Sequence, residues 1–149
     1  MIRIATAADA DGLRACARSA YAPYVTRIGR EPAPMGADYR ALVAAGQVWV
    51  ESDEQGHMRG FIVFRPEGDA MLLENVAVRP EAAGQGIGRD LIAFCEETAR
   101  ARGCRAVTLY TNEAMTANLT LYPRLGYRET GRRIEDGFRR VYFEKPLTD

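Results

Sequence analysis

The stretch Val76-Ala77-Val78-Arg79-Pro80-Glu81-Ala82-Ala83-Gly84-Gln85-Gly86-Ile87-Gly88-Arg89-Asp90-Leu91-Ile92 sets the architecture of this chain. An apolar run leads through Arg79-Pro80 into glycines at three alternate positions and then into the first turn of an amphipathic helix. Alternate glycines free the backbone to bring successive N–H groups to one point. The helix N-terminus adds unpaired amides and partial positive charge. The segment therefore reads as an anion site able to hold a pyrophosphate without a charged side chain. Two well-known glycine loops do not fit it. The dinucleotide pattern G-x-G-x-x-G fails because Arg89 stands three residues after Gly86 and Leu91 three after Gly88. The mononucleotide loop fails because no G-K-S or G-K-T occurs in the chain.

Working outward, Leu91, Ile92, Cys95 and Ala99 form one stripe of a helix predicted from Gly86 to Arg102, with Gly103 as its stop. Upstream, strands are expected over Gln47 to Ser52, Met58 to Arg65 and Ala70 to Val78. Their connections, Asp53-Glu54-Gln55-Gly56 and Pro66-Glu67-Gly68-Asp69, are short and full of turn formers, which predicts an antiparallel meander. The N-terminus reads as a strand, Met1 to Ala5, then a helix to about Tyr21 opened by a Thr6/Asp9 capping box. Ala22 to Gly36, with three prolines and two glycines, cannot be regular helix or central strand. A short helix, Ala37 to Ala45, is capped by Gly46. Downstream, the pattern predicts a strand from Arg105 to Tyr110, a helix from Met115 to Leu125, and a strand pair, Tyr127 to Arg133 and Phe138 to Glu144, around Glu135-Asp136-Gly137. This order describes an α+β fold: a mixed, mainly antiparallel sheet of about seven strands with about four helices.

At 149 residues and 16.5 kDa the chain has room for one domain, expected over 1–149. Twenty basic residues balance twenty acidic ones, so no general field draws it to nucleic acid or an anionic membrane. Lys145 is the only lysine, so side-chain contacts to phosphate fall to arginine forks. Cys16, Cys95 and Cys104 form no C-x-x-C pair, and the single histidine, His57, sits in a turn-like run; no zinc site is expected. With no apolar run of signal or membrane length, the expectation is a soluble, cytoplasmic protein with reduced thiols. The sequence leaves a homodimer open.

Val76-Ala77-Val78-Arg79-Pro80 with Gly84-Gln85-Gly86-Ile87-Gly88 resembles motif A of the GNAT superfamily of acetyl-CoA-dependent N-acetyltransferases. Asn118-Leu119-Thr120-Leu121-Tyr122-Pro123-Arg124-Leu125-Gly126-Tyr127, about thirty residues later, resembles its motif B. The resemblance implies a splayed sheet whose fourth and fifth strands part to admit the pantetheine arm. It assigns the backbone of Val76, Ala77 and Val78 to the pantetheine amides, and Gly84, Gln85, Gly86, Ile87, Gly88 and Arg89 to the pyrophosphate. Ala83 departs from the family's usual Arg or Gln, with Arg89 as the candidate substitute. Tyr122 takes the place of the tyrosine that protonates the leaving sulfur. Asn118, on the same helical face, is a further contact to the pantetheine or the substrate, although the family's asparagine more often sits where this chain has Met115.

Acyl transfer to an amine needs a deprotonated nucleophile and a protonated leaving thiolate. Glu74 is the first candidate for the base, with two readings open: proton acceptor through water, or a residue that orients substrate or pairs with an arginine. Glu113 is the reserve. Tyr122 is either the acid or an aromatic packed under the last helix. Tyr24, Arg27 and Met35, in the irregular stretch after Tyr21, are candidates for the acceptor wall, against a loop merely stapled to the core by its aromatics. Cys95 reads as helix core, and no metal is implied. The expected activity is transfer of an acetyl group from acetyl-CoA to a small-molecule amine in a ternary complex. The alternatives are a non-catalytic acyl-CoA sensor and an enzyme acting on a protein amine.

Overall fold

The computed structural model describes residues 1–147, so the last two residues of the expected 1–149 domain lie outside it. In chain order the elements are β1 (Ile2–Ile4), α1 (Ala10–Tyr21), α2 (Val25–Ile28), α3 (Tyr39–Ala44), β2 (Val48–Ser52), β3 (Met58–Glu67), β4 (Ala70–Val78), α4 (Ile87–Ala101), β5 (Ala106–Asn112), α5 (Thr116–Arg124), β6 (Arg128–Glu135) and β7 (Phe138–Pro146). The seven strands form one sheet in the order β1-β2-β3-β4-β5-β7-β6. β4 and β5 pair in parallel, Met71 to Leu73 against Val107 to Leu109. β1–β2, β2–β3, β5–β7 and β6–β7 are antiparallel, so the mixed, mainly antiparallel α+β sheet expected from turn spacing is present.

Two local expectations shift. Thr6 N–H donates to Asp9 Oδ2 at 2.7 Å, but this box opens a 3₁₀ turn, Ala7–Asp9, that precedes α1. The proline-rich stretch after Tyr21 is also more helical than proline and glycine content suggested. Ala22–Tyr24 and Ala33–Gly36 are 3₁₀ turns and α2 is a single α-turn. Pro23 is tolerated because it falls at the start of its turn, where its missing N–H has no partner to lose. Gly29, at φ 86°, ends α2 with its N–H on the Val25 carbonyl at 2.8 Å.

The described chain groups into two compact units, Met1–Phe64 with Asn75–Cys95, and Arg65–Glu74 with the described residues from Glu96 onward. In the first, alternation along β2 and β3 sends Val48, Val50, Phe61 and Val63 to one face, where they pack with Leu13, Cys16 and Ala17 of α1, Tyr39 of α3 and Ala77 of β4. Trp49 and Phe64, on alternate positions, stack at 4.2 Å, and Phe94 of α4 closes on both at 5.8 and 6.1 Å. In the second unit, Val107, Leu109, Val141 and Phe143 are buried together with Tyr122 and Tyr127. There Glu96 accepts hydrogen bonds from Tyr127 Oη and Lys145 Nζ, both at 2.9 Å. This pairing accounts for the chain's one lysine: it neutralises a buried carboxylate.

Candidate active site

The glycine loop belongs to the first unit. Its entry is fixed where β4 ends: Arg79 N–H donates to the Arg59 carbonyl at 2.8 Å and Arg79 Nε to the Met58 carbonyl at 2.8 Å. After a 3₁₀ turn, Pro80–Ala82, the backbone enters the left-handed region at Gly84 (φ 83°) and Gly86 (φ 80°), where a side chain strains the main chain. The first bond across the start of α4 runs from Asp90 N–H to the Gly86 carbonyl at 3.0 Å. Among the described residues, no amide from Gly86 to Arg89 donates to a backbone carbonyl. Nothing lies within 4 Å of where a Cβ would stand on Gly84 or Gly86. A cradle of unpaired amides with open space over it is what a pyrophosphate requires, and these residues fit coenzyme A. Ala83 and Arg89 are exposed, and Gln85 Oε1 lies 3.4 Å from Arg59 Nη1.

Upstream of the loop, β4 carries a feature that motif reading missed. Asn75 is 7% exposed. Its Oδ1 accepts from the Tyr21 hydroxyl, its Nδ2 lies 3.3 Å from the Tyr39 hydroxyl, and Tyr39 in turn donates to the Pro34 carbonyl. Tyr21 Oη is also 3.0 Å from the carbonyl of Val76, so one phenolic proton serves two acceptors. The irregular stretch after Tyr21 is thus stapled to β4 by hydroxyls and an amide. The available signal was Asn75 itself, a polar residue inside an apolar strand pattern. Of the acceptor-wall candidates in this stretch, Met35 is buried at 6% exposure and presents little surface. Tyr24 is half-buried and Arg27 exposed, the guanidinium 5.7 Å from the Tyr24 ring centroid.

The candidates for acid and base lie in the second unit. Tyr122, on α5, is 4% exposed and packs edge-on against Tyr127 at 5.6 Å and beside Phe143 at 5.8 Å. Asn118, one turn earlier, donates from Nδ2 to Thr111 Oγ1 at 3.1 Å. Glu74 is half-buried and ion-paired with Arg65 through Oε2, a partner that spacing alone did not name. Glu113, the reserve, is held at its backbone, its N–H on the Arg139 carbonyl at 2.9 Å. The buried Cys16 thiol is pushed up to about 11 by desolvation, which removes it as a nucleophile at neutral pH. Cys95 is fully buried in the α4 stripe, as its helical spacing predicted. No group of three His, Cys, Asp or Glu among the described residues could hold a metal. None of the described helices is long and apolar enough to cross a membrane.

The model of the Acetyltransferase (GNAT) family matches residues 14–127, a span that contains the glycine loop, β4, β5 and α5. The chain belongs to the GNAT acetyltransferase family. This GNAT chain is 29% identical over 87 residues to a protein named "Probable N-acetyltransferase 14" from Xenopus tropicalis, covering 57% of this chain and 42% of that one. It is 30% identical over 96 residues to the [Ribosomal protein bS18]-alanine N-acetyltransferase of Escherichia coli (strain K12), covering 64% and 60%. The GNAT chain therefore spans only about half the length of these relatives. Its fold is shared with the PaiA N-acetyltransferase of Thermoplasma acidophilum solved in complex with coenzyme A, with a TM-score of 0.78 over 98% of both chains at 16% identity.

Proposed function

We propose that this GNAT domain, read as one domain over 1–149, transfers an acetyl group from acetyl-CoA to the amine of a small-molecule acceptor by direct attack in a ternary complex. The observation that carries the proposal is the Gly84–Arg89 loop, with its left-handed glycines and unpaired amides, in a chain of this family. Solved relatives of this fold hold coenzyme A or acetyl-CoA, which supports the same cosubstrate here. Bound acetyl-CoA supplies the acyl carbon as a thioester.

The residues divide the remaining work. Gly84, Gln85, Gly86, Ile87, Gly88 and Arg89 bind the pyrophosphate through main-chain N–H groups, and Val76, Ala77 and Val78 offer strand-like hydrogen bonds to the pantetheine. Amides of the same strand stabilise negative charge as it develops on the carbonyl oxygen. Glu74, held in one orientation by Arg65, receives the ammonium proton through a water. The Tyr122 hydroxyl holds the proton that the departing sulfur takes. Asn118 bonds the pantetheine or the acceptor, Tyr24 and Arg27 contact the acceptor, and the buried Met35 adds little surface to that wall.

The test is a free-thiol assay over a panel of amines, polyamines, amino acids and peptides, paired with calorimetric titration of acetyl-CoA. We expect binding of acetyl-CoA, and thiol release only when an amine is present. No binding at millimolar ligand would sink the proposal; binding without thiol release would favour the sensor reading. The bacterial relative that acts on a ribosomal-protein alanine supports a second reading, a protein N-terminal amine as acceptor. Turnover restricted to peptides in the panel would establish that one.

A further inference from the structure

One face of the β5–β7–β6 sheet, within the second unit, carries two arginines over two tyrosines. Tyr110 and Tyr142 are register partners with ring centroids 5.6 Å apart. The guanidinium carbon of Arg140 lies 4.4 Å from the Tyr110 centroid, and that of Arg133 lies 4.3 Å from the Tyr142 centroid. Arg133 and Arg140 are themselves register partners across β6 and β7. Like charges placed directly opposite on neighbouring strands repel, so the arrangement costs stability where nothing neutralises it.

Attraction to the ring's quadrupole holds each guanidinium over a tyrosine, and each guanidinium carries five N–H donors. Among the described residues the Arg133 side chain makes no hydrogen bond or ion pair. Arg140, its side chain 14% exposed, forms a long ion pair with Glu135 at 4.0 Å, beyond hydrogen-bond reach, so its N–H donors stay unspent on that carboxylate. Gly131 is the register partner of Tyr142, and nothing lies within 4 Å of where its Cβ would stand, so space is open on β6 opposite that tyrosine. Glu129, Glu135, Asp136 and Glu144 interleave with the basic residues of the hairpin. The positive field is therefore local, suited to one small anion and not to a polyanion.

We propose that Arg133 and Arg140, held over Tyr142 and Tyr110, form a carboxylate subsite for the acceptor, which is then an amine of the amino-acid class. A planar carboxylate takes two parallel N–H bonds from one arginine fork while the second guanidinium neutralises the remaining charge. The inference rests on the acetyl-transfer reading for its meaning but has a binding readout of its own.

The kinetic test compares amino acids with their carboxamides in the free-thiol assay. KM for the carboxylate form is expected to be at least tenfold lower. Arg133→Gln and Arg140→Gln should each collapse that ratio towards one while KM for acetyl-CoA stays within twofold. Equal KM values in the wild type, or a preference for phosphate-bearing amines that the same variants abolish, would overturn the carboxylate assignment. The binding test follows the arginine Nε–H resonances on titration with N-acetylglycinate and with N-acetylglycinamide. Shifts with the acid alone, lost in Gly131→Val, are expected. Identical responses to the two probes, or none, would overturn the inference even in a protein that turns over no acceptor. Failure of acetyl-CoA binding with intact N-acetylglycinate shifts would instead count against the acetyl-transfer reading alone.

Discussion

Tyr122 is 4% exposed among Tyr127 and Phe143, so removing its hydroxyl leaves the ring's packing in place. Tyr122→Phe is therefore expected to lower kcat tenfold or more with coenzyme A affinity within twofold, measured by thiol release and calorimetry. An unchanged kcat would hand the proton to water. A second residue-scale effect concerns stability. The Arg3 guanidinium bonded to Asp9 holds that carboxyl at about 2, below its ordinary 3.8. A lowered folded value means stabilisation that is present above about pH 4 and lost as pH falls through 2. Arg3 is 44% exposed, so screening limits the pair to about 1 kcal/mol. Urea unfolding at pH 5 should show Asp9→Asn weaker by about that amount, with the difference closing near pH 2. At this scale the sequence was only half legible. The motif B resemblance singled out Tyr122 and Asn118 as candidates, and position on the fourth strand singled out Glu74, but a side chain's partner depends on what the fold brings beside it. That Arg65 engages Glu74, nine residues away on a neighbouring strand, was not readable from composition or period.

At the scale of elements, the loop between β4 and α4 was the most readable part of the chain, because left-handed backbone is a property glycine confers locally. A methyl group on Gly86 would meet no atom within 4 Å, so its cost is backbone strain alone, about 1 to 2 kcal/mol. Gly86→Ala is expected to raise the acetyl-CoA Kd tenfold or more without changing far-UV circular dichroism. A Kd within twofold would show that the cradle does not depend on that conformation. The stretch after Tyr21 was read less well, since prolines and glycines hid one α-turn and two 3₁₀ turns. Its attachment to β4 runs through Tyr21 and Asn75, 54 residues apart. Tyr21→Phe removes that hydroxyl, and amide hydrogen exchange over 22–36 should accelerate at least fivefold while the α1 core keeps its protection. Unchanged exchange would mean that Tyr39 and Pro34 suffice.

Across the whole molecule, stability depends on how buried charge is neutralised. Lys145 is 23% exposed against Glu96 at 10%, and its loss leaves a carboxylate inside the second unit with only the Tyr127 hydroxyl. Lys145→Met is expected to cost about 3 kcal/mol in urea unfolding, and Lys145→Met with Glu96→Leu to recover most of it. An equal loss in both variants would show that packing, not charge, is what the pair supplies. The sequence by itself determined most of the order of strands and helices, the glycine loop and the family, because helical period, strand alternation and glycine dihedrals are fixed within a few residues of chain. Only the tertiary structure decided that β7 lies between β5 and β6, that Glu96 meets Lys145 across 49 residues, and that two arginines face each other over two tyrosines. Those depend on strand register and burial, which join distant segments and leave no trace in local spacing.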